Sequence, residues 1–257
     1  MVAVADLKDK AVLVTGASTG IGAAVARGFA ASGACVAVHS NRSREAAEAL
    51  VGEITLSGGR AMALGADLTE TGMAVRLVGR AVELFGRLDV LVNNAGDVIS
   101  RTPFAETDDD FADRLIDLNI RPVVAACRAA IAQFRRQGGG GNIINTTSIS
   151  VRNGGGSGVQ LYASSKAYVQ TLTRGLAREF APEGIRVNAV APGVIATPLH
   201  ARSSSAEVME SFRRVIPMGR VGLPEDCVGA YLFLASDALA GYVTGQVIEV
   251  NGGQLMP

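Results

Sequence analysis

The sequence lacks the charge pattern of a protein that binds nucleic acid or a membrane surface. Its 24 Lys and Arg residues are balanced by 24 Asp and Glu residues, so the formal net charge is zero. A polyanion or an anionic bilayer would attract clustered basic residues instead. Apolar runs of the roughly 20 residues that cross a bilayer are also missing, and residues 5–10 are too charged for the core of a signal peptide. We therefore expect a cytoplasmic protein with a small-molecule partner, and neither nucleic acid nor a membrane as partner.

Cysteine and histidine are also scarce. The three cysteines, Cys35, Cys127 and Cys227, are odd in number, far apart and set in apolar stretches. This pattern is typical of buried thiols in a reducing compartment. The two histidines, His39 and His200, do not form a ligand cluster, so we predict no metal site.

The residues that are present alternate in the manner of an α/β protein. Apolar residues make up 48% of the chain and charged residues 19%, which is enough apolar material for a core. The length of 257 residues fits a single domain, residues 1–257. Short apolar runs predict strands, most of them covered on both faces, at Ala11–Val14, Ala34–Val38, Ala61–Leu64, Leu88–Val92, Asn142–Thr147, Arg186–Val190 and Gln246–Val250. Ala-rich segments with helical spacing predict helices at Ile21–Ala31, Ser43–Ser57, Thr71–Phe85, Asp108–Gln137, Leu161–Phe180 and Pro224–Ser236.

This alternation predicts a Rossmann-type α/β fold, a doubly wound parallel sheet of about seven strands with helices on both faces. Thr107, followed three residues later by Asp110, resembles a capping box that would start the longest helix. The glycine clusters Gly138–Gly141 and Gly154–Gly156 predict loops inside the domain, because the alternation continues across both.

A glycine-rich turn joins the first predicted strand to the first helix, with the sequence Thr15-Gly16-Ala17-Ser18-Thr19-Gly20-Ile21-Gly22. Glycines let the backbone turn tightly and approach a pyrophosphate, whose charge is favourable at a helix amino terminus. The same residues also match the Gly-x-Ser-x-Gly elbow of an α/β-hydrolase, in which Ser18 would be the nucleophile and His200 the only plausible histidine partner. Such an elbow normally follows several strands, so its place after the first strand favours the dinucleotide interpretation.

Further motifs follow in order along the chain. They are Asp67 after the third strand, Asn93-Asn94-Ala95-Gly96 after the fourth, Asn119 in the long helix, Ser148 at the end of the fifth strand, Tyr162-Ala163-Ser164-Ser165-Lys166, and Pro192-Gly193 with Thr197 after the sixth strand. With this ordered set, nearly the whole chain resembles the short-chain dehydrogenase/reductase family, in its compact single-domain branch. The resemblance implies an oxidoreductase that moves a hydride between a nicotinamide dinucleotide and a carbonyl or a secondary alcohol.

The resemblance also implies where the dinucleotide binds. The pyrophosphate would lie on the turn formed by Gly16, Ser18, Thr19, Gly20, Ile21 and Gly22. The adenine would contact Asp67 and Leu68. The stretch with Asn93, Ala95 and Gly96 would stabilise the sheet and border the adenosine ribose. The nicotinamide side would be formed by Pro192, Gly193, Ile195 and Thr197.

Tyr162 and Lys166 are four residues apart, so on a helix they share one face. A free tyrosine has a pKa of about 10. A nearby ammonium, together with the positive charge of the oxidised nicotinamide, favours the phenolate and should lower that pKa. Tyr162 can then exchange a proton with the substrate oxygen. By resemblance, Ser148 would hydrogen-bond that oxygen, Lys166 would bind the nicotinamide ribose, and Asn119 would hold a water in a proton relay.

The second strand ends where the adenosine ribose is expected. Family members that bind NAD(H) place an Asp there, and counting from Gly22 puts Ser40 at that position. Ser40 and Asn41 can donate hydrogen bonds to a 2′-phosphate, and Arg42 can add a charge-assisted contact. Thr19 opposes this interpretation, because NADP-preferring members often carry a second basic residue in the glycine loop. On balance we predict NADP(H) in preference to NAD(H).

The substrate and the assembly are less defined by the sequence. The general pattern resembles enzymes of 3-oxoacyl thioesters, of sugars and polyols, or of small ketones, and the polar, helix-prone segment His200–Val215 is predicted to form a substrate lid. The segments Asp108–Gln137 and Leu161–Phe180 carry more apolar residues than one helix face needs. Members of the family commonly pair these helices with those of a second copy and use the last strand in a second interface. The resemblance therefore predicts a homotetramer, or else a dimer.

A catalytically silent dinucleotide-binding sensor or scaffold of the same fold is the alternative function.

Overall fold

A computed structural model of the protein describes residues 3–199 and 206–256. Within these residues, seven parallel strands form one sheet in the order β3-β2-β1-β4-β5-β6-β7. The strands are β1 (Ala11–Val14), β2 (Cys35–Ser40), β3 (Arg60–Gly65), β4 (Val90–Asn93), β5 (Gly141–Thr146), β6 (Ile185–Pro192) and β7 (Val247–Val250). The predicted Rossmann-type fold is therefore confirmed.

Helices cover both faces of the sheet, because the central strands alternate between two apolar layers. Val12 and Val14 of β1 point into one layer, and Leu13 points into the other. The helices are α1 (Gly20–Ala31), α2 (Arg44–Leu56), α3 (Met73–Phe85), α4 (Asp109–Asn119), α5 (Arg121–Arg136), α6 (Ser150–Asn153), α7 (Gln160–Phe180), α8 (Ala206–Val215), α9 (Pro224–Ala235) and α10 (Asp237–Ala240). Helices α1, α2 and α9 cover the first layer, and α3, α5 and α7 cover the second.

The strand order reverses between β1 and β4, which pair with each other at the centre of the sheet. Parallel strands present all their carboxyl ends at one edge, and a ligand crevice opens there at the point of reversal. This topology brings the segments after β1, β2, β4, β5 and β6 to one edge, although they are far apart in the sequence.

The single helix predicted over Asp108–Gln137 is wrong, because the structure divides it into α4 and α5. The break falls at Ile120, with φ −113° and ψ −62°, and Pro122 lies in the first turn of α5. Proline lacks the N–H that would continue the helical hydrogen bonds, and its ring crowds the preceding turn. The predicted capping residue is also displaced by one position. Asp108, rather than Thr107, caps α4 by accepting a hydrogen bond from the Phe111 N–H at 2.8 Å.

Residues 200–205 of the predicted substrate lid lie outside the described residues, and the remainder of it forms α8. In the part of the chain that the structure describes, none of the helices combines the length and the apolar character needed to cross a bilayer. The same part of the chain contains no group of three metal-ligating side chains. All three cysteines are unpaired, and Cys127 and Cys227 are buried.

Candidate active site

The turn between β1 and α1 packs too tightly for larger residues. A Cβ added to Gly22 would lie only 2.6 Å from the Asn94 Nδ2 and would also collide with the Gly16 carbonyl oxygen. Thr19 caps α1 with an extended backbone and makes no side-chain capping bond. The first N–H groups of a helix have no partner within the helix, so this end of α1 can receive an anion. A pyrophosphate fits this cradle of backbone donors.

Two polar side chains that sequence reasoning did not select hold the turn against β4. The Thr15 Oγ1 accepts hydrogen bonds from the N–H groups of Asn94 at 2.9 Å and of Ala95 at 3.0 Å. In return, the Asn94 Nδ2 donates to the carbonyl oxygens of Thr15 and Gly16, both at 3.0 Å. Asn94 belongs to the Asn-Asn-Ala-Gly motif, so the motif already marked its position. Only the structure gives it this role.

The predicted adenosine end is assembled from the ends of β2 and β3. Ser40 is the last residue of β2 and is buried, whereas Asn41 and Arg42 are exposed. The pKa of Asp67 is lowered, first by hydrogen bonds from the hydroxyl and N–H of Thr69, and further by a hydrogen bond from Asn41 and the charge of Arg42. The structure therefore brings Asn41, Arg42 and Asp67 close together.

The predicted nicotinamide side lies opposite the glycine turn. A Cβ added to Gly20 would lie 3.2 Å from the Thr197 Cγ2, so the segment after β6 closes over the start of α1. Ile195 is buried, and Gly193 packs against Asn251, whose Cβ would lie 2.7 Å from a Cβ added there.

Asn93 differs from its neighbours in the motif, because its side chain points into the interior. Its Nδ2 donates to the Asn145 Oδ1 at 2.9 Å, and the Asn145 Nδ2 donates to the Thr173 Oγ1 at 2.9 Å. This buried chain of hydrogen bonds connects β4, β5 and α7.

Three of the predicted catalytic side chains meet beyond the carboxyl end of β5. Tyr162 and Lys166 lie on α7, and the Lys166 Nζ is 5.8 Å from the centre of the Tyr162 ring. Ser148 follows β5, and its side chain lies close enough to Tyr162 to act on the ionisation of the phenol. Lys166 is only 3% exposed, and Tyr162 and Ser148 are half-buried. The fold therefore brings these three side chains close together.

Ser150 adjoins this group and contacts Ser148 in two ways. The Ser148 hydroxyl donates to the Ser150 Oγ at 3.1 Å, and the Ser150 N–H donates to the Ser148 Oγ at 3.1 Å. Ser148 is the member of the pair that reaches Tyr162, which supports its selection over Ser150.

Asn119 is completely buried beside the same group. Its Nδ2 donates to the carbonyl oxygens of Asp97 at 2.9 Å and Leu115 at 3.1 Å, and its Oδ1 accepts from the Asp97 N–H at 3.1 Å. A Cβ added to Gly96 would lie 2.7 Å from that Oδ1 and 2.9 Å from the Lys166 Nζ. Asn119 and Lys166 therefore both approach the backbone at Gly96, and the Asn119 amide fixes the loop after β4.

Burial controls the ionisation of the two residues on α7. Loss of water raises the pKa of Tyr162 to about 12, although the hydrogen bond with Ser148 opposes the rise, and the nearby Asp97 carboxylate adds to it. Burial also lowers the pKa of Lys166 to about 8. Both shifts have one cause, because removal from water disfavours the phenolate and the ammonium alike.

Comparison with known proteins identifies the class of this chain. Residues 16–254 match the family model described as enoyl-(acyl carrier protein) reductase. The chain is 41% identical over 252 residues to 3beta-hydroxysteroid dehydrogenase 1 of Eggerthella lenta, covering 98% of this chain and 95% of the other. It is 40% identical to the L-rhamnose 1-dehydrogenase (NAD(P)(+)) of a Sphingomonas species, covering 96% of each.

A solved structure extends the likeness to three dimensions. The NADH-dependent reductase A1-R′ responsible for alginate metabolism superposes with a TM-score of 0.90 and 39% sequence identity, covering 99% of this chain and 100% of the other. The fold and the Ser-Tyr-Lys group define a nicotinamide-dependent oxidoreductase of alcohols and carbonyls. This chain belongs to the short-chain dehydrogenase/reductase family, in its compact single-domain form.

Proposed function

We propose that the protein reduces a ketone or aldehyde group of a small substrate with NADPH, or catalyses the reverse oxidation, and that Tyr162 exchanges the proton. The observation that carries the proposal is the position of Tyr162, whose ring centre is 5.8 Å from the buried Lys166 Nζ and whose ionisation responds to the neighbouring Ser148. The nicotinamide, when bound, supplies or accepts the hydride. The turn of residues 16–22 would hold the pyrophosphate of the dinucleotide, and the segment after β6 would hold its nicotinamide.

The residues of the chain would divide the remaining work. The Ser148 hydroxyl, which donates to Ser150 in this structure, would turn to donate a hydrogen bond to the substrate oxygen and stabilise the negative charge that develops there. Tyr162, with its raised pKa, is protonated at neutral pH and can give its proton to the same oxygen. Lys166 would bind the nicotinamide ribose with the ammonium that also faces Tyr162. Asn119 would hold an ordered water near Lys166, and Tyr162 would recover its proton through that water.

Ser40, Asn41 and Arg42 support the preference for NADP(H). An acidic residue at the end of β2 would repel a 2′-phosphate, whereas Ser40 is neutral. Arg42 is exposed and lies close enough to Asp67 to lower the pKa of that carboxyl. A guanidinium in this position can bind a 2′-phosphate that approaches from solvent. The decisive test is kcat/KM for NADPH and for NADH with one working substrate. Equal or higher values for NADH would refute the preference.

The substrate is proposed as one of three classes: a 3-oxoacyl thioester, a sugar or polyol, or a small ketone. The relatives named above act on a steroid alcohol and on a sugar, by their names. A screen of the three classes that follows NADPH absorbance would identify the class. Cofactor binding without turnover on any of them would instead favour the silent sensor.

We propose a homotetramer in the cytoplasm, with a dimer as the smaller alternative. Strand β7 is an edge strand whose four residues are all half-buried, and Tyr168 on α7 and Tyr242 before β7 are exposed. Such surfaces suit contacts with further copies of the chain. Light scattering at micromolar concentration tests the assembly, and a monomeric mass would refute it.

The unpaired thiols fit the reducing compartment proposed for the protein, the cytoplasm.

A further inference from the structure

His39 is buried at the carboxyl end of β2 and touches the turn that would hold the pyrophosphate. Its side chain is 2% exposed. The Gly16 N–H donates to the His39 Nδ1 at 3.0 Å, and the His39 Nε2 lies 3.0 Å from the Ala66 carbonyl oxygen. The imidazole therefore bridges the turn after β1 and the residue after β3.

The partners determine the protonation of this imidazole. A backbone N–H can only donate, so the Nδ1 must present its lone pair to Gly16. A carbonyl oxygen can only accept, so the Nε2 must carry the proton that goes to Ala66. His39 is thus a neutral imidazole with the proton on Nε2, and burial lowers its pKa, which favours that neutral form.

The backbone of His39 reinforces the same contact, because the Ala17 N–H donates to the His39 carbonyl oxygen at 2.8 Å. Two consecutive N–H groups of the turn, those of Gly16 and Ala17, are thereby directed towards β2. The amides that remain for an anion are those further along the turn and in the first turn of α1. His39 also lies between Ser40 and the segment Ala66–Asp67, where the adenosine is expected.

We propose that His39 is a positioning residue of the dinucleotide site, which fixes the spacing between the pyrophosphate turn and the adenosine end through the Gly16 N–H. The proposal rests on the dinucleotide binding proposed above. It assigns a role to a residue that the catalytic group does not contact. It predicts that the loss of the Nδ1 acceptor weakens dinucleotide binding and leaves the chemical step intact.

Two substitutions separate the two hydrogen bonds. In His39→Asn, the side-chain oxygen can take the place of the Nδ1 and accept from Gly16. In His39→Gln, the longer side chain can reach Ala66 in place of the Nε2 but leaves Gly16 without its acceptor. His39→Leu removes both bonds, and Val38→Ala, which shortens a buried neighbour that points to the other layer, controls for a loss of packing alone.

The experiment measures the Kd of NADPH by its own fluorescence, and the cofactor KM and kcat with a working substrate. We expect the Leu and Gln variants to raise the Kd and the KM by about tenfold, because a buried N–H is left unpaired. The kcat should stay within about twofold, and the Asn variant should bind like the wild type, within about threefold. Val38→Ala should lower the melting temperature without changing the cofactor KM.

Equal effects of the Asn and Gln variants would overturn the proposal, and so would Gln and Leu variants that bind NADPH like the wild type. If His39→Leu does not fold, the comparison of Asn with Gln still decides. Failure of the proposed function would appear differently, as a wild-type protein that does not bind the dinucleotide at all.

Discussion

The Lys166 Nζ donates a hydrogen bond to the carbonyl oxygen of Thr146 at 3.0 Å, and this contact joins α7 to the last residue of β5. A neutral carbonyl oxygen compensates only in part for the water that the ammonium loses on burial. The pKa of Lys166 therefore falls from 10.5 to about 8. The charge beside Tyr162 is consequently sensitive to pH in a range that can be measured.

The first prediction concerns the pH dependence of carbonyl reduction. Lys166 loses its proton as the pH rises through about 8, whereas Tyr162, with a pKa of about 12, keeps its own. The kcat/KM for reduction should therefore be level near neutral pH and fall with a single limb centred near 8. Lys166→Arg, whose guanidinium stays charged, should be slower but should lack this limb. A profile that stays level to about pH 10 in the wild type would contradict the assignment.

The second prediction is that Lys166→Met stabilises the fold at neutral pH while it abolishes activity. The folded pKa is lowered, so the folded state binds fewer protons than the unfolded state between about pH 8 and 10.5, and wild-type stability rises with pH in that window. Below that window, the charged lysine carries its full burial cost. The substitution should raise the free energy of unfolding at about pH 7 by about 1–3 kcal/mol. Denaturant unfolding at about pH 7 and about pH 10 measures it, with a smaller gain expected at the higher pH. Destabilisation at neutral pH would show that the contact with Thr146 outweighs the cost of burying the charge.

The third prediction concerns the proton donor. Tyr162→Phe removes the hydroxyl that would give its proton to the substrate oxygen and should lower kcat by about 100-fold or more, the usual contribution of a general acid. NADPH binding should survive. Tyr168→Phe, on the same helix but 48% exposed, is the matched control and should leave kcat unchanged. Near-native kcat in the Tyr162→Phe enzyme would rule out Tyr162 as the acid.

The fourth prediction concerns the choice of dinucleotide. Arg42→Ala should lower kcat/KM for NADPH by about tenfold through loss of a charge-assisted contact, with little effect on NADH. Ser40→Asp should shift the ratio towards NADH through repulsion of the 2′-phosphate. Arg44→Ala is the control, because Arg44 is exposed nearby and pairs with Glu48 at 2.7 Å. The idea fails if the Arg42 and Ser40 variants both leave the ratio unchanged.

The sequence was sufficient to predict the strands, most of the helices and the meeting of Ser148, Tyr162 and Lys166. Strands covered on both faces have a continuous apolar signal, and a Tyr-x-x-x-Lys spacing places two side chains on one helix face. The apolar spacing of α4 continues into α5, so the spacing alone does not indicate the break at Ile120. Pro122 is the only local signal of the break.

The contacts of single polar residues were harder to predict. The roles of Thr15, Asn94 and His39 depend on which strands are neighbours. Gly16 and His39 are 23 positions apart, and Gly16 and Asn94 are 78 positions apart. The pKa of Tyr162 is hard to predict for a similar reason, since the spacing indicates a nearby ammonium but not the loss of water around both groups.

The hydrogen-bonded chain from Asn93 through Asn145 to Thr173 has a consequence for how this enzyme can be altered. It connects α7, the helix that bears Tyr162 and Lys166, to the central strands β4 and β5. The reactive groups are thus held by the strands and α7, whereas the pocket beside Tyr162 is lined in part by the connecting segment that contains Val98, Thr102 and Phe104. Exchange of that segment should change which substrates bind and leave the alignment of Tyr162 and Lys166 intact, because the hydrogen bonds that hold α7 to β4 and β5 lie elsewhere.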